Sequence, residues 1–240
     1  MKFNPTLGLA LCLAGILALP GPVNAAPLMD LDSGESDWEC GSFFSRDRVA
    51  PMDYRKQPPI LKTVEEYHYG KNVENLSKSM YVGVTLGSDH DYTLWAFPNH
   101  HRALASVVRL AEREKTDQPS GCKVSVDCYF RRAIRFAPTD LIVRLLYADY
   151  LRRKQRNTDA VIQLEDVVEN ADENPMTLYN AGMIYFDLGR LEKSAALAAR
   201  AADLGYAPPL LARLLTEKGV SIPAAGASSK PAASAAEQSK

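Results

Sequence analysis

A recurrence every 34 residues constrains this chain more than any other feature. With Pro175 counted as the first residue of a unit, Leu178, Ala181, Gly182 and Tyr185 fall at i, i+3, i+4 and i+7 spacing, which is one face of a helix. Gly189 supplies a turn, and Ser194, Ala198 and Ala201 form the small-residue face of a second helix. Small side chains there let the two helices approach closely. One unit earlier, Tyr147, Ala148 and Leu151 and then Ala160, Leu164 and Val167 occupy the same places. Earlier again, Val126, Phe130 and Ala133 repeat the second helix. The first helix of that unit fits when counted from His101, with Leu104, Val107, Val108 and Ala111 inward and six extra residues in the turn around Gln118–Cys122. Upstream, residues 93–99 read as the end of one more second helix. Arg144 and Gln155 break the pattern, standing where the third unit has Leu178 and Gly189. Repeated helical hairpins predict an all-α chain.

The spacing resembles the tetratricopeptide repeat (TPR) family over roughly Asp89 to Pro208, about half the chain. The resemblance implies a helical-hairpin solenoid of about three repeats, with Pro209–Gly219 as the capping helix such arrays require. The stretches Phe97–Leu104 and Cys128–Ala133 are similar to small exported bacterial TPR-containing proteins, a likeness that implies no activity. The family resemblance also implies a concave face. On it would lie Arg102, Ala105, Arg109, Glu112 and Arg113, then Ile142, Leu145, Asp149, Arg152 and Arg153, then Met176, Tyr179, Met183, Phe186 and Asp187. Five arginines against three acids make this stripe basic. Its partner-binding residues are expected to be Arg102, Arg109, Arg113, Arg152, Arg153, Tyr179, Met183 and Phe186. Guanidinium forks suit carboxylates, and methionine with aromatic side chains suits an apolar anchor, so the expected partner is an acidic, partly apolar protein or peptide. The Lys/Asn set with which chaperone-adaptor TPRs clamp a terminal carboxylate is not reproduced. A competing expectation is that the protein's own N-terminal arm covers the apolar part.

Outside the repeats the chain divides simply. Residues 1–25 read as a signal peptide: Lys2, an uncharged apolar run Leu7–Leu19, the breaker Pro20-Gly21-Pro22, and small residues before Ala26. The mature protein is then periplasmic or secreted, with no later run apolar enough to span a membrane. Residues 26–88 read as a Pro-punctuated arm carrying two short helical stretches within 60–80, broken near Gly70. The helical domain is expected over 89–220, and the Ala/Ser/Pro-rich residues 221–240 as a disordered tail. Export leaves three cysteines, Cys40, Cys122 and Cys128, enough for one disulfide and one thiol. In the TPR-like register Cys128 faces outward, where the arm would pass, so the expected bridge is Cys40–Cys128; a local Cys122–Cys128 link is the competitor.

The chain has a net charge of −1, which does not suit a general nucleic-acid binder. No phosphate-binding, dinucleotide, zinc-protease, nucleophile-elbow or CxxC motif is present, so no catalysis and no cofactor are expected. The four histidines, His68, His90, His100 and His101, lie close together with Asp89 and Asp91. They raise the alternative of a metal-dependent enzyme built on residues 68–101. Adjacent His100 and His101 diverge by about 100° on a helix, unlike chelating i, i+4 pairs, so no metal ligand is assigned. The expected function is an exported TPR adaptor that binds its partner without turnover. A structural subunit of an envelope assembly is the other alternative.

Overall fold

The computed structural model describes residues 40–43, 50–172 and 174–223, so the expected signal peptide and most of the expected C-terminal tail lie outside the described residues. Four helices of similar length make the regular part: α6 (Leu141–Arg153), α7 (Asn157–Asn170), α8 (Pro175–Asp187) and α9 (Leu191–Asp203). Connectors of three or four residues leave each helix no option but to fold back on its predecessor. Arg144, near the start of α6, accordingly meets Asp166, near the end of α7, at 2.6 Å. The ion pair accounts for the charged residue within the helix-pair interface. Residues 121, 155 and 189, each 34 apart, all adopt left-handed backbone, with φ of 88°, 61° and 70°. Gly189 does so without steric cost. Gln155 bears that cost because its turn needs the same geometry: Arg156 N–H bonds Leu151 O and Arg190 N–H bonds Tyr185 O, both at 2.9 Å.

The inward positions read from the spacing are buried. Leu104, Val107, Val108 and Ala111 of α4 (His101–Glu114) join Val126, Phe130 and Ala133 of α5 (Val126–Phe136) in one core with Tyr147 and Leu151. Leu164, Leu178, Tyr185, Leu197 and Ala201 form a second core with Leu211 and Leu215 of α10 (Pro209–Glu217). Each fully buried side chain of this size contributes about 1.5–3 kcal/mol. Pro209 pre-sets the first turn of α10, a helix within the stretch Pro209–Gly219 where one was expected. Ser194 Oγ donates to Gly182 O at 2.8 Å, across a contact that the missing Gly182 side chain keeps close.

The N-terminal segment is packed against the array. α1 (Ile60–His68) and α2 (Lys71–Glu74) are interrupted at Gly70, as expected. Tyr69 and Val73 belong to the first core, so this segment is part of the fold. α3 (Leu86–Ala96) is longer than its sequence suggests, because it buries Asp89, His90, Asp91 and Thr93 among apolar residues and so carries no apolar stripe. Among the described residues the protein is all-α, with ten α-helices.

Cys40 and Cys128 form a disulfide, and Cys122 is a buried free thiol. Beside the bridge, Arg132 is 1% exposed. Its Nη1 donates to the Cys40, Gly41 and Ser42 carbonyls at 3.2, 2.8 and 2.9 Å. The guanidinium lies between the Trp95 and Phe43 rings, 4.2 and 4.7 Å from their centroids. Because the disulfide closes a separation of 88 residues, Cys40→Ser and Cys128→Ser should each lower unfolding free energy by about 4 kcal/mol. The double variant should match either single one. Urea denaturation with a cysteine peptide map measures this; unchanged stability in Cys40→Ser would point to the Cys122–Cys128 pairing.

Candidate functional site

Three helices, α4, α6 and α8, present a continuous charged face. Glu112 meets Arg153 at 3.2 Å, and Arg153 meets Asp149 at 2.7 Å. Asp149 meets Arg152 at 2.7 Å, and Arg152 reaches Asp187 at 3.4 Å. The five side chains therefore form an ion ladder across the stripe expected from the TPR resemblance. All are at least one-quarter exposed, so each rung is worth about 0–1 kcal/mol and exchanges readily with an incoming charge.

The rest of that stripe divides in two. Toward the N-terminus the arginines hold the protein's own α1–α2 segment. Arg102 pairs with Glu65 at 2.7 Å and lies 3.6 Å from Glu74. Arg109 donates to the Glu74 carbonyl at 2.8 Å and Arg113 to the Leu76 carbonyl at 2.6 Å. The Glu74 carbonyl ends α2 and the Leu76 carbonyl follows its C-cap, where cations satisfy main-chain acceptors that no further helical turn can reach. Toward the C-terminus the face is apolar. Met176 and Ile142 are exposed, Met183 and Phe186 half-buried. Tyr179 is buried: its hydroxyl accepts from Leu211 N–H at 3.2 Å and its ring meets Tyr206 edge-on at 5.4 Å. It positions α10.

The four histidines go to four different tasks. His68 stacks on Tyr92 with ring centroids 3.7 Å apart and lies 3.6 Å from Asp89. His90 Nδ1 donates to Leu86 O at 2.7 Å, and Ser106 Oγ sits 2.8 Å from Nε2. His100 caps α4, its Nδ1 accepting from Ala103 N–H at 3.2 Å, which leaves Nε2 to donate to Glu65 at 3.1 Å. His101 bonds both Asp140 oxygens at 2.9 Å. Among the described residues, no three His, Cys, Asp or Glu side chains are grouped so as to hold a metal ion.

Two clusters escape a reading by periodicity. Buried Asn99 donates to Asp53 at 2.7 Å and Asp140 at 2.8 Å, tying the arm to the start of α6. Bonds from Arg55 hold the Asp53 carboxyl well below the usual range. In the second, Asp91 accepts from Tyr129 Oη at 2.5 Å and Lys123 N–H at 3.0 Å. Nearby, burial pushes the Cys122 thiol up to about 12, so it is a poor nucleophile. The only sequence signal for either cluster is polar residues standing in helical runs.

Burial lowers the His90 imidazole to about 4 and the His100 imidazole to about 3. Below about pH 6.5 the unfolded chain takes up protons that the folded chain refuses, so stability falls as pH drops toward about 4. At pH 5 each histidine should cost about 2 kcal/mol relative to pH 7.5. Urea midpoints at the two pH values measure the loss, and His90→Gln or His100→Asn should flatten it. A flat wild-type profile would show that these rings titrate normally. Comparison with known proteins gives no matching family model, no matching curated protein and no matching solved structure.

Proposed function

We propose that the chain is an exported, TPR-like adaptor that binds a protein or peptide partner on the open part of the α4/α6/α8 face, without catalysis. One observation carries the reading: exposed Met176 and Ile142 and half-buried Met183 and Phe186 adjoin the exchangeable ladder Arg153–Asp149–Arg152–Asp187. An apolar anchor seats on the first group, and a carboxylate on the same partner takes over a guanidinium from Asp149 or Asp187. The 34-residue step shared by α6 and α8, and by α7 and α9, supports the repeat assignment. A disulfide is compatible with secretion, and no helix among the described residues is long and apolar enough to cross a membrane.

The α1–α2 segment already occupies Arg102, Arg109 and Arg113, so binding belongs to the C-terminal half of the stripe. Crosslinking in the native compartment identifies the partner. Met176→Asp and Arg152→Glu should then weaken its capture at least tenfold, with stability changed by about 0.5 kcal/mol for Met176→Asp and by about 1–2 kcal/mol for Arg152→Glu, which loses two ion pairs. Arg109→Ala and Arg113→Ala should instead lower stability by about 1 kcal/mol each and leave capture intact. Capture unaffected by Met176→Asp and Arg152→Glu would remove the face from consideration.

A further inference from the structure

The connector between α2 and α3 ends in a short apolar prong. Tyr81 is 46% exposed, Val82 fully exposed and Val84 40% exposed. The tip is a β-turn: Val84 N–H bonds Tyr81 O at 3.3 Å, and Gly83 takes φ of 79°, which other residues rarely adopt. Exposed apolar loop tips usually move, but this one is fixed on both sides. On one side the buried Asp89 carboxylate accepts from Ser79 Oγ at 2.6 Å and Met80 N–H at 2.9 Å, and Met80 packs on the first core. On the other, Thr85 caps α3 through Ser88 N–H and donates to Ser120 O at 2.9 Å. The buried Asp89 carboxylate therefore holds out an exposed tip in which Tyr81 leans on His68, ring centroids 6.0 Å apart, and Val82 stands fully exposed.

We infer that this prong docks on a membrane surface containing anionic lipid. Val82 stands fully exposed at the tip, and a bilayer interface needs no matching cavity to receive it. Its composition is interfacial: a tyrosine with a polar tip, two valines, and a flanking lysine. A cleft of about 360 Å³ is lined by Met80, Tyr81, Val82 and Val84 together with the polar Asn72, Lys78 and Ser79. That arrangement places apolar contact beside a cation, as the boundary between acyl chains and phosphate headgroups requires. The nearby carboxylates do not oppose it: Asp89 is buried and satisfied, and Glu74 faces Arg102. A single prong of this size binds weakly and reversibly. The inference is independent of the groove reading, since the prong lies between α2 and α3.

The test uses the exported protein, its N-terminus fixed by intact mass, with an environment-sensitive fluorophore on Val82→Cys. An identical label on Ile162→Cys, an exposed α7 position, is the reference. Cys122 is buried and stays unlabelled in the folded chain. Phosphatidylcholine vesicles containing phosphatidylglycerol should blue-shift the label at 82 and leave that at 162 unchanged. Unlabelled Val82→Asp should lose about tenfold in vesicle co-sedimentation. Lys78→Glu should lose about tenfold on anionic vesicles only, with the difference shrinking at high salt. Sedimentation without a shift at 82, or equal sedimentation by Val82→Asp, would overturn the inference by placing contact elsewhere. An equal shift with monomeric short-chain phosphatidylglycerol would replace the surface with a single-amphiphile site. Absence of any vesicle binding would leave the prong to a protein pocket and refute the membrane assignment.

Discussion

Three consecutive buried polar side chains on α3 organise the N-terminal half. Successive helical residues point about 100° apart, so Asp89, His90 and Asp91 reach in three directions. Asp89 takes the Ser79 hydroxyl and the Met80 N–H, His90 contacts Ser106 of α4, and Asp91 takes Tyr129 of α5 and the main chain at Lys123. One turn of one helix thus positions the prong, the first array helix and the second. Leaving a buried charge without its partner costs about 3–5 kcal/mol, more than a typical apolar contact. The arrangement is therefore costly to break at either aspartate spoke and specifies the positions of its neighbours.

The disulfide and Arg132 act together on the far side of α3. A guanidinium that is 1% exposed would be prohibitively placed without acceptors, and the arm supplies three carbonyls in a row. The covalent bridge keeps those carbonyls in place against the entropy of a free N-terminal strand. Arg132 in turn orients the arm more tightly than a disulfide alone would. The Trp95 and Phe43 faces complete the cation's surroundings without competing for its hydrogen bonds.

How much of this was legible follows from what kind of interaction holds each element. The hairpins α6–α7 and α8–α9 are held by apolar and small residues at helical spacing, so their faces could be read directly. So could the break at Gly70 and the α10 helix that begins at Pro209. α3 could not, because polar spokes replace an apolar stripe; only its end near Thr93 showed. The Cys40–Cys128 bridge was legible as one of three pairings, favoured because an outward Cys128 and a passing arm are compatible features. Arg109 and Arg113 show the other boundary of the method. Sequence placed them on a shared stripe, but nothing in it said that the α2 carbonyls would arrive there first. Tyr179 likewise reads as an open-face residue and is instead hydrogen-bonded to α10.

The contrast between the two ends of the stripe is a contrast in what each arginine would lose by letting go. Arg109 bonds the carbonyl of Glu74, the last residue of α2, and Arg113 that of Leu76 just beyond it, neither of which has a further helical turn to satisfy it. Releasing them would leave the Leu76 carbonyl without its guanidinium and the Glu74 carbonyl to Ser106 alone, and would loosen the segment that carries Tyr69 and Val73. Arg152 and Arg153 bond flexible carboxylates on their own and neighbouring helices, with solvent at hand to replace them. Water can therefore solvate Asp149 or Asp187 when a guanidinium turns to another anion, at little net cost. The structural arginines and the available arginines are the same residue type on one stripe. What separates them is whether their present partner can be re-satisfied by water, and that condition is met beside Met176, Met183 and Phe186.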